Sequence, residues 1–440
     1  MKPTWKRMMT ALVCLPAAIC WANAQELSPN QEAKPVNPVP VAASTSNLRP
    51  ILPSEIYALP GVEANVYFDN IILSPNSRGL LWDVDCDFGT HQEERWTAMP
   101  TVEQVGDHPL KVRVVTPEVQ TVVEMTTTLR VIDPKAGAGR KVTLLCVGAS
   151  GTAASVYTAR LVALSAEDKA LDLKLIGEGG PGGDTGNRHE GYGGWSCRTF
   201  VENWADGQDF VEQDGARRRG RSPFLFEVDG QHRLDFQRYL DRNNAGQPPD
   251  FITILLGGND NFTATEADIE QRIDTMFSYL DQLIAAIRAA APKAQIGIVP
   301  MTPPAASQDA FGANYGTSQT RWQYRRNQHR TTEREYQTYG GREAEGLYLV
   351  PVFVELDTVH GYPTKTAPAN AHAETQIARM ATDCTPRRLA TTRWAMSSTA
   401  GSRAVSLPNR PYGLRSHAAT GNTCQVAPGR ASKPTLSRLV

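Results

Sequence analysis

Five short apolar runs dominate the chain after residue 140: VTLLCV (142–147), LKLIG (173–177), FITILL (251–256), IGIV (296–299) and LYLVPVFV (347–354). They are nearly continuous rather than alternating, which is how strands buried on both faces read. Helical stretches separate several of them. The clearest follows Thr265 and Asp268, which stand in capping spacing, and places Ile269, Ile273, Met276, Phe277, Leu280, Leu283, Ile284 and Ile287 on one face. Strands alternating with helices predict a parallel sheet covered on both sides. In such sheets the chemistry sits in the loops beyond the carboxyl ends of the strands.

Upstream the period changes. Residues 51–135 hold β-rich runs such as ANVYFDNIIL (64–73), LKVRVV (110–115) and TLRVID (128–133), broken by Pro, Gly and Asn, and predict a small all-β sandwich. PKAGAGRK (134–141) is a hinge-like break before the α/β domain of residues 140–383. Residues 25–50, rich in Pro, Ala, Ser and Asn, read as a disordered linker. Residues 1–24 combine a basic start, an apolar run from Met8 to Trp21 and small residues at Ala22 and Ala24. That is the pattern of a secretory signal cleaved after Ala24. The run falls short of the ~20 residues a spanning helix needs, so a secreted or periplasmic protein with no stable membrane insertion after signal removal is expected.

Net charge is −1, so no nucleic-acid partner is expected. Of seven cysteines, Cys14 and Cys20 lie in the signal, and Cys384 and Cys424 in the C-terminal tail. Cys86, Cys146 and Cys197 stand at no metal or redox spacing and read as buried thiols.

Three strand-end loops carry chemistry. The first, VGASGT, places Ser150 on a tight turn between strand and helix, suited to an exposed nucleophile or to an ordinary turn. The second, GEGGPGGDTGNRHEGYGGW (177–195), has glycines that let backbone amides face a ligand; a flexible surface loop is the alternative, and no Gly-Lys-Ser completes a phosphate cradle. The third, LLGGNDNF, offers Asn259 as a side-chain amide donor, while Asp260 reads as an Asx-turn capping the segment after it.

Together these loops resemble the SGNH, or GDSL-type, hydrolase superfamily over residues 142–383. The resemblance implies a flavodoxin-like three-layer fold and a serine esterase. Ser150 matches the nucleophile of the first block, Gly194 the glycine of the second, and Asn259 the oxyanion donor of Gly-x-Asn-Asp in the third. One position departs from the family, because Ala149 replaces an aspartate that helps organise the active-site loop.

The family's base and orienting acid come from an Asp-x-x-His block followed by Pro and a helix near Ala-Gly-Tyr. Asp357-Thr358-Val359-His360 is a literal match, but loop sequence follows it. The tail of residues 384–440 contains nine Arg or Lys and none of the chain's 46 carboxylates, and reads as an aberrant, basic, disordered segment. One permitted set of codons for residues 384–403, read from the third base, encodes HPTPAGYHQMGDVVYSWIK. That string resembles the missing block, so a frameshift near codon 384 is inferred.

The expected protein is an exported esterase acting on a small-molecule or polysaccharide ester. No metal or organic cofactor is implied. The alternative is a pseudoenzyme or carbohydrate-binding protein that lacks the acid and base. Pocket-lining candidates are residues 301–316, or else a mobile loop, and the Arg- and Tyr-rich stretch 321–339, or else a solvated helix face.

Overall fold

The computed structural model describes residues 48–168, 171–213 and 216–383. Residues 1–47, which hold the expected signal and nearly all of the expected linker, and the tail after Asp383 lie outside these residues.

The N-terminal β region contains strands β1 (Glu55–Ala58), β2 (Ala64–Tyr67), β3 (Leu81–Cys86), β4 (Thr90–His91), β5 (Arg95–Ala98), β6 (Gly106–Val115) and β7 (Thr121–Val131). One sheet runs β1-β7-β6-β3 and the other β2-β5-β4. All their pairings are antiparallel except β1 with β7. Alternation along β6 sends Leu110, Val112 and Val114 inward and Lys111 and Arg113 outward. Ile56, Val66, Trp96, Leu110, Val112, Leu129 and Val131 form the core between the sheets, and Phe353 and Val354 from far downstream complete it.

Turns over residues 134–139 lead into the α/β region, whose strands are β8 (Arg140–Gly148), β9 (Leu171–Ile176), β10 (Glu190–Gly191), β11 (Phe251–Leu255), β12 (Gln295–Ile298) and β13 (Leu347–Leu349). Their order, β9-β8-β11-β12-β13 with β10 paired to the end of β8, is parallel throughout. This is the flavodoxin-like order, which reverses direction between β8 and β11 and opens a crevice at that point.

The helices are α1 (Ser150–Ala153), α2 (Val156–Asp168), α3 (Cys197–Glu202), α4 (Phe236–Asn243), α5 (Gly258–Asn261), α6 (Ile269–Ala290), α7 (Gln308–Tyr315) and α8 (Arg321–Tyr339). One face of the sheet packs with α3, α4 and α6, where Leu145, Val147, Ile252, Ile254, Ile296 and Ile298 meet Phe200, Tyr239, Ile273, Leu280 and Leu283. On the other face Val142, Leu144, Cys146 and Phe251 pack with Tyr157 and Leu161 of α2. No helix of the described residues is long and apolar enough to cross a membrane.

The run 347–354 does not form one strand. Pro351 has no amide hydrogen to give the ladder, and Val352–Glu355 turns into a 3-10 helix. Its apolar side chains leave the sheet, Phe353 and Val354 entering the sandwich core and Val352 staying against the α2 side.

Candidate active site

Strand register brings the three loops together. Gly148 pairs with Gly191 on one side and with Leu255 on the other, so the residues beyond each strand end emerge at one edge of the sheet. Ser150 opens α1 and is exposed. In a first helical turn the amide of such a residue has no intrahelical acceptor and can face a ligand. Ala149, which precedes it, is half-buried against the main core.

Gly194 is exposed with φ of 81°, a conformation that side chains rarely adopt, and space beside it is open. Gly257 begins the third turn at φ of 95°, and any Cβ there would meet the Met276 sulfur at 2.8 Å. Only glycine lets the chain turn against α6 at that point and present Asn259.

Asn259 is exposed, and its Nδ2 donates to the Trp195 carbonyl at 2.7 Å. One amide hydrogen is thereby fixed beside Gly194, and the geometry of a planar amide aims the other away from it. Two buried side chains of α8 brace the same turn. Asn327 donates to the carbonyls of Asn261 and Ala264 at 2.8 and 2.9 Å, and Asn261 donates to Thr331 Oγ1 at 3.1 Å. Asp260 does not cap the segment that follows it: its carboxylate accepts from the Cys197 amide at 3.1 Å, at the start of α3. Burial raises its pKa.

Two histidines require accounting. His189 is buried, and burial holds its pKa down to about 4, so it is neutral near pH 7. Its Nδ1 accepts from the Gly191 amide at 3.1 Å, so the ring proton sits on Nε2, which lies 2.8 Å from Ser155 Oγ. Ser155, at φ of 59°, in turn gives its hydroxyl proton to the Ala153 carbonyl. His189 is thus a donor to Ser155 and cannot take its proton in this arrangement. His360 is exposed, and the Asp357 carboxylate accepts from the backbone amides of Val359 and His360 at 2.9 and 2.8 Å. The inferred block after Asp383 lies outside the described residues.

Cys86, Cys146 and Cys197 are free; Cys146 and Cys197 are buried, and Cys86 is half-buried. A cavity of about 910 Å³ lies between α7 and a hairpin of Thr364–Pro368 with Gln376–Met380. Gln308, Asp309, Gly312, Ala313 and Gly316, all from the expected 301–316 stretch, line it, whereas Ser150, Gly194 and Asn259 do not. The stretch 321–339 is no solvated face. It forms α8, which buries Arg325, Asn327, Gln328, His329, Thr331, Thr332 and Glu335. Helical periodicity of polar residues gave no sign of this, because that signal registers apolar faces alone.

A serine turn, a glycine loop and an asparagine turn thus stand at one edge of the parallel sheet. Residues 177–339 match the GDSL-like lipase/acylhydrolase family. The match spans the second and third loops and α8 and begins after Ser150. No curated protein sequence matches the chain. Among solved structures, the chain is similar to a Clostridium thermocellum family 3 carbohydrate esterase, with 14% identity over 59% of this chain and 94% of that one and a TM-score of 0.33. It is also similar to a family 3 carbohydrate esterase from Talaromyces cellulolyticus, with 12% identity over 60% and 98% and a TM-score of 0.31. A family two carbohydrate esterase from Clostridium thermocellum shows 16% identity over 78% and 89%, again at 0.31.

Proposed function

We propose that the protein is an exported esterase that cleaves acyl or acetyl esters, carbohydrate esters among them, through an acyl-enzyme on Ser150. The observation that carries this reading is the register at the end of β8, which sets Ser150 between the Gly191 and Leu255 strand ends, with Asn259 tied to Trp195 beside Gly194. Ser150 Oγ attacks the ester carbonyl and gives its proton to a histidine. The amides of Ser150 and Gly194 and the Asn259 side chain hold the oxyanion. The alcohol leaves with the proton, and water then hydrolyses the acyl-serine, releasing the acid and restoring the hydroxyl.

Base and orienting acid fall to the Asp-x-x-His block of the shifted frame, with Asp357 and His360 as the pair available in the frame as written. The nucleotide sequence across codons 375–405 decides between them. A small insertion or deletion that restores HPTPAGYHQMGDVVYSWIK assigns the pair to that block; an intact frame leaves it to Asp357 and His360. Turnover of an aryl acetate by the chain as written, lost in Ser150→Ala, supports the esterase.

A second reading, a pseudoenzyme that binds carbohydrate, draws support from the His189 ring, both of whose nitrogens are engaged away from Ser150. An oxyanion site without its base retains only a ~10³- to 10⁴-fold advantage over water. Absence of Ser150-dependent turnover together with retained sugar binding favours it.

A further inference from the structure

The second loop hides a carboxylate that the ester chemistry does not use. Glu190 lies on β10 opposite Val147, one residue before the Gly148–Gly191 pair, and is fully buried. Its Oε1 accepts from the Glu178 amide at 2.7 Å and from the Tyr239 hydroxyl at 2.9 Å, and its Oε2 accepts from the Tyr192 hydroxyl. A carboxylate so placed is costly unless its acceptors are filled, and here they are filled by the two ends of the glycine loop and by α4.

From Glu190 a continuous set of contacts runs to the oxyanion side. The Tyr192 ring lies 4.5 Å from the Trp195 ring, and both rings pack on Phe200. The Tyr192 amide donates to the Gly148 carbonyl, just before the serine turn. The Trp195 carbonyl accepts the Asn259 amide. We infer that Glu190 is a positioning residue for the oxyanion side of the site: it fixes Tyr192, Tyr192 fixes Trp195, and the Trp195 carbonyl orients the Asn259 amide. The catalytic meaning of that chain rests on the proposed role of Ser150 and Asn259, whereas the coupling of Glu190 to Asn259 does not.

The charges around Glu190 make the coupling sensitive to pH. Glu178 stands beside it and pairs with Arg219 at 2.6 Å and with Arg242 of α4; Arg219 also reaches Asp209 and lies over the Tyr192 ring. Burial, then Glu178, pushes the Glu190 carboxyl up to about 7. Burial also holds Tyr192 and Tyr239 well above the usual phenol range, so both hydroxyls stay protonated. Above neutrality an ionised Glu190 accepts from both tyrosines. Below it, the protonated carboxyl has to donate from one oxygen, and a tyrosine hydroxyl has to turn round to receive it.

The test is the side-chain amide signal of Asn259 in the full chain carrying ¹⁵N-asparagine, assigned by its loss in Asn259→Ala. In the unmutated protein the signal is expected to move with pH about a midpoint near 7. In Glu190→Gln, which keeps an acceptor and a donor but cannot ionise, the midpoint disappears. In Tyr192→Phe it disappears although Glu190 remains, and this variant carries the test should Glu190→Gln fail to fold. An Asn259 signal that follows pH identically in all three proteins overturns the inference, since a carboxylate of merely structural importance would change the melting temperature and leave Asn259 unmoved. Aryl-acetate turnover supplies the second readout: Glu190→Ala is expected to lower kcat about ten- to a hundred-fold with KM little changed, and Glu190→Gln to recover most of it. Lack of Ser150-dependent turnover alongside a moving Asn259 signal sinks the esterase reading and leaves the coupling standing.

Discussion

Two long helices serve neighbouring parts of the α/β region by opposite chemistry. α6 buries Ile269, Ile273, Met276, Phe277, Leu280, Leu283 and Ile287. α8 buries Arg325, Asn327, Gln328, His329, Thr331, Thr332 and Glu335. On α6 the contacts are apolar and non-directional, so neighbouring side chains can shift to absorb a change. On α8 most of the buried groups answer a particular donor or acceptor, although His329 Nε2 and Glu335 Oε2 have none among the described residues. Arg325 donates to the Asp69 and Ile72 carbonyls of the β region, the latter at 2.9 Å, and Asn327 holds the turn that bears Asn259. One helix thus supplies bulk stability, and the other fixes where the site and the β region stand.

Removing an α8 group should therefore cost more than trimming an α6 group. Arg325→Met takes the guanidinium donor from one buried and one half-buried carbonyl and is expected to cost about 3 kcal/mol in chemical denaturation, at 1–3 kcal/mol for each unsatisfied group. A loss below about 1 kcal/mol would mean that water or backbone shifts satisfy those carbonyls, and the contrast between the helices would fail. Asn327→Ala removes one donor from each of the Asn261 and Ala264 carbonyls, which keep the Ala264 amide and the Gln323 and Arg326 side chains respectively, and about 2 kcal/mol should go, at about 1 kcal/mol for each lost hydrogen bond. Because it also loosens the Asn259 turn, aryl-acetate turnover should fall through kcat rather than KM; an unchanged kcat would confine α8 to a structural role. Ile273→Val on α6 should cost about 1 kcal/mol, the usual range for that deletion being 0.5–1.5. Turnover unaffected by Ile273→Val would sharpen the division of labour.

The same contrast explains what could be read in the sequence. The buried face of α6 follows from its period: every expected position is buried except Ile284, which packs at the edge of the core. The strand runs at 142–147, 251–256 and 296–299 fall within two residues of the bounds of β8, β11 and β12, since a parallel sheet demands unbroken apolar side chains. Ser150, Gly194 and Asn259 were legible as strand-end residues, and their convergence follows from strand order. α8 was not legible, because its burial depends on partners such as Asp69, distant in sequence, that no local pattern encodes. Nor was Glu190, whose acceptors are filled from Glu178 and Tyr239 as well as from Tyr192 nearby. Pro351 was visible in the sequence, but that the residues beyond it would enter a second core was not.

That second core has a consequence for synthesis on the ribosome. Phe353 and Val354 close the sandwich, and Asn70 of the β region donates to the Phe353 carbonyl, 283 residues further along the chain. At about 5–20 residues per second, the sandwich waits some tens of seconds for its last apolar side chains to be made. During that interval its unfinished interior faces solvent, and a chaperone that holds nascent chains has its natural target there.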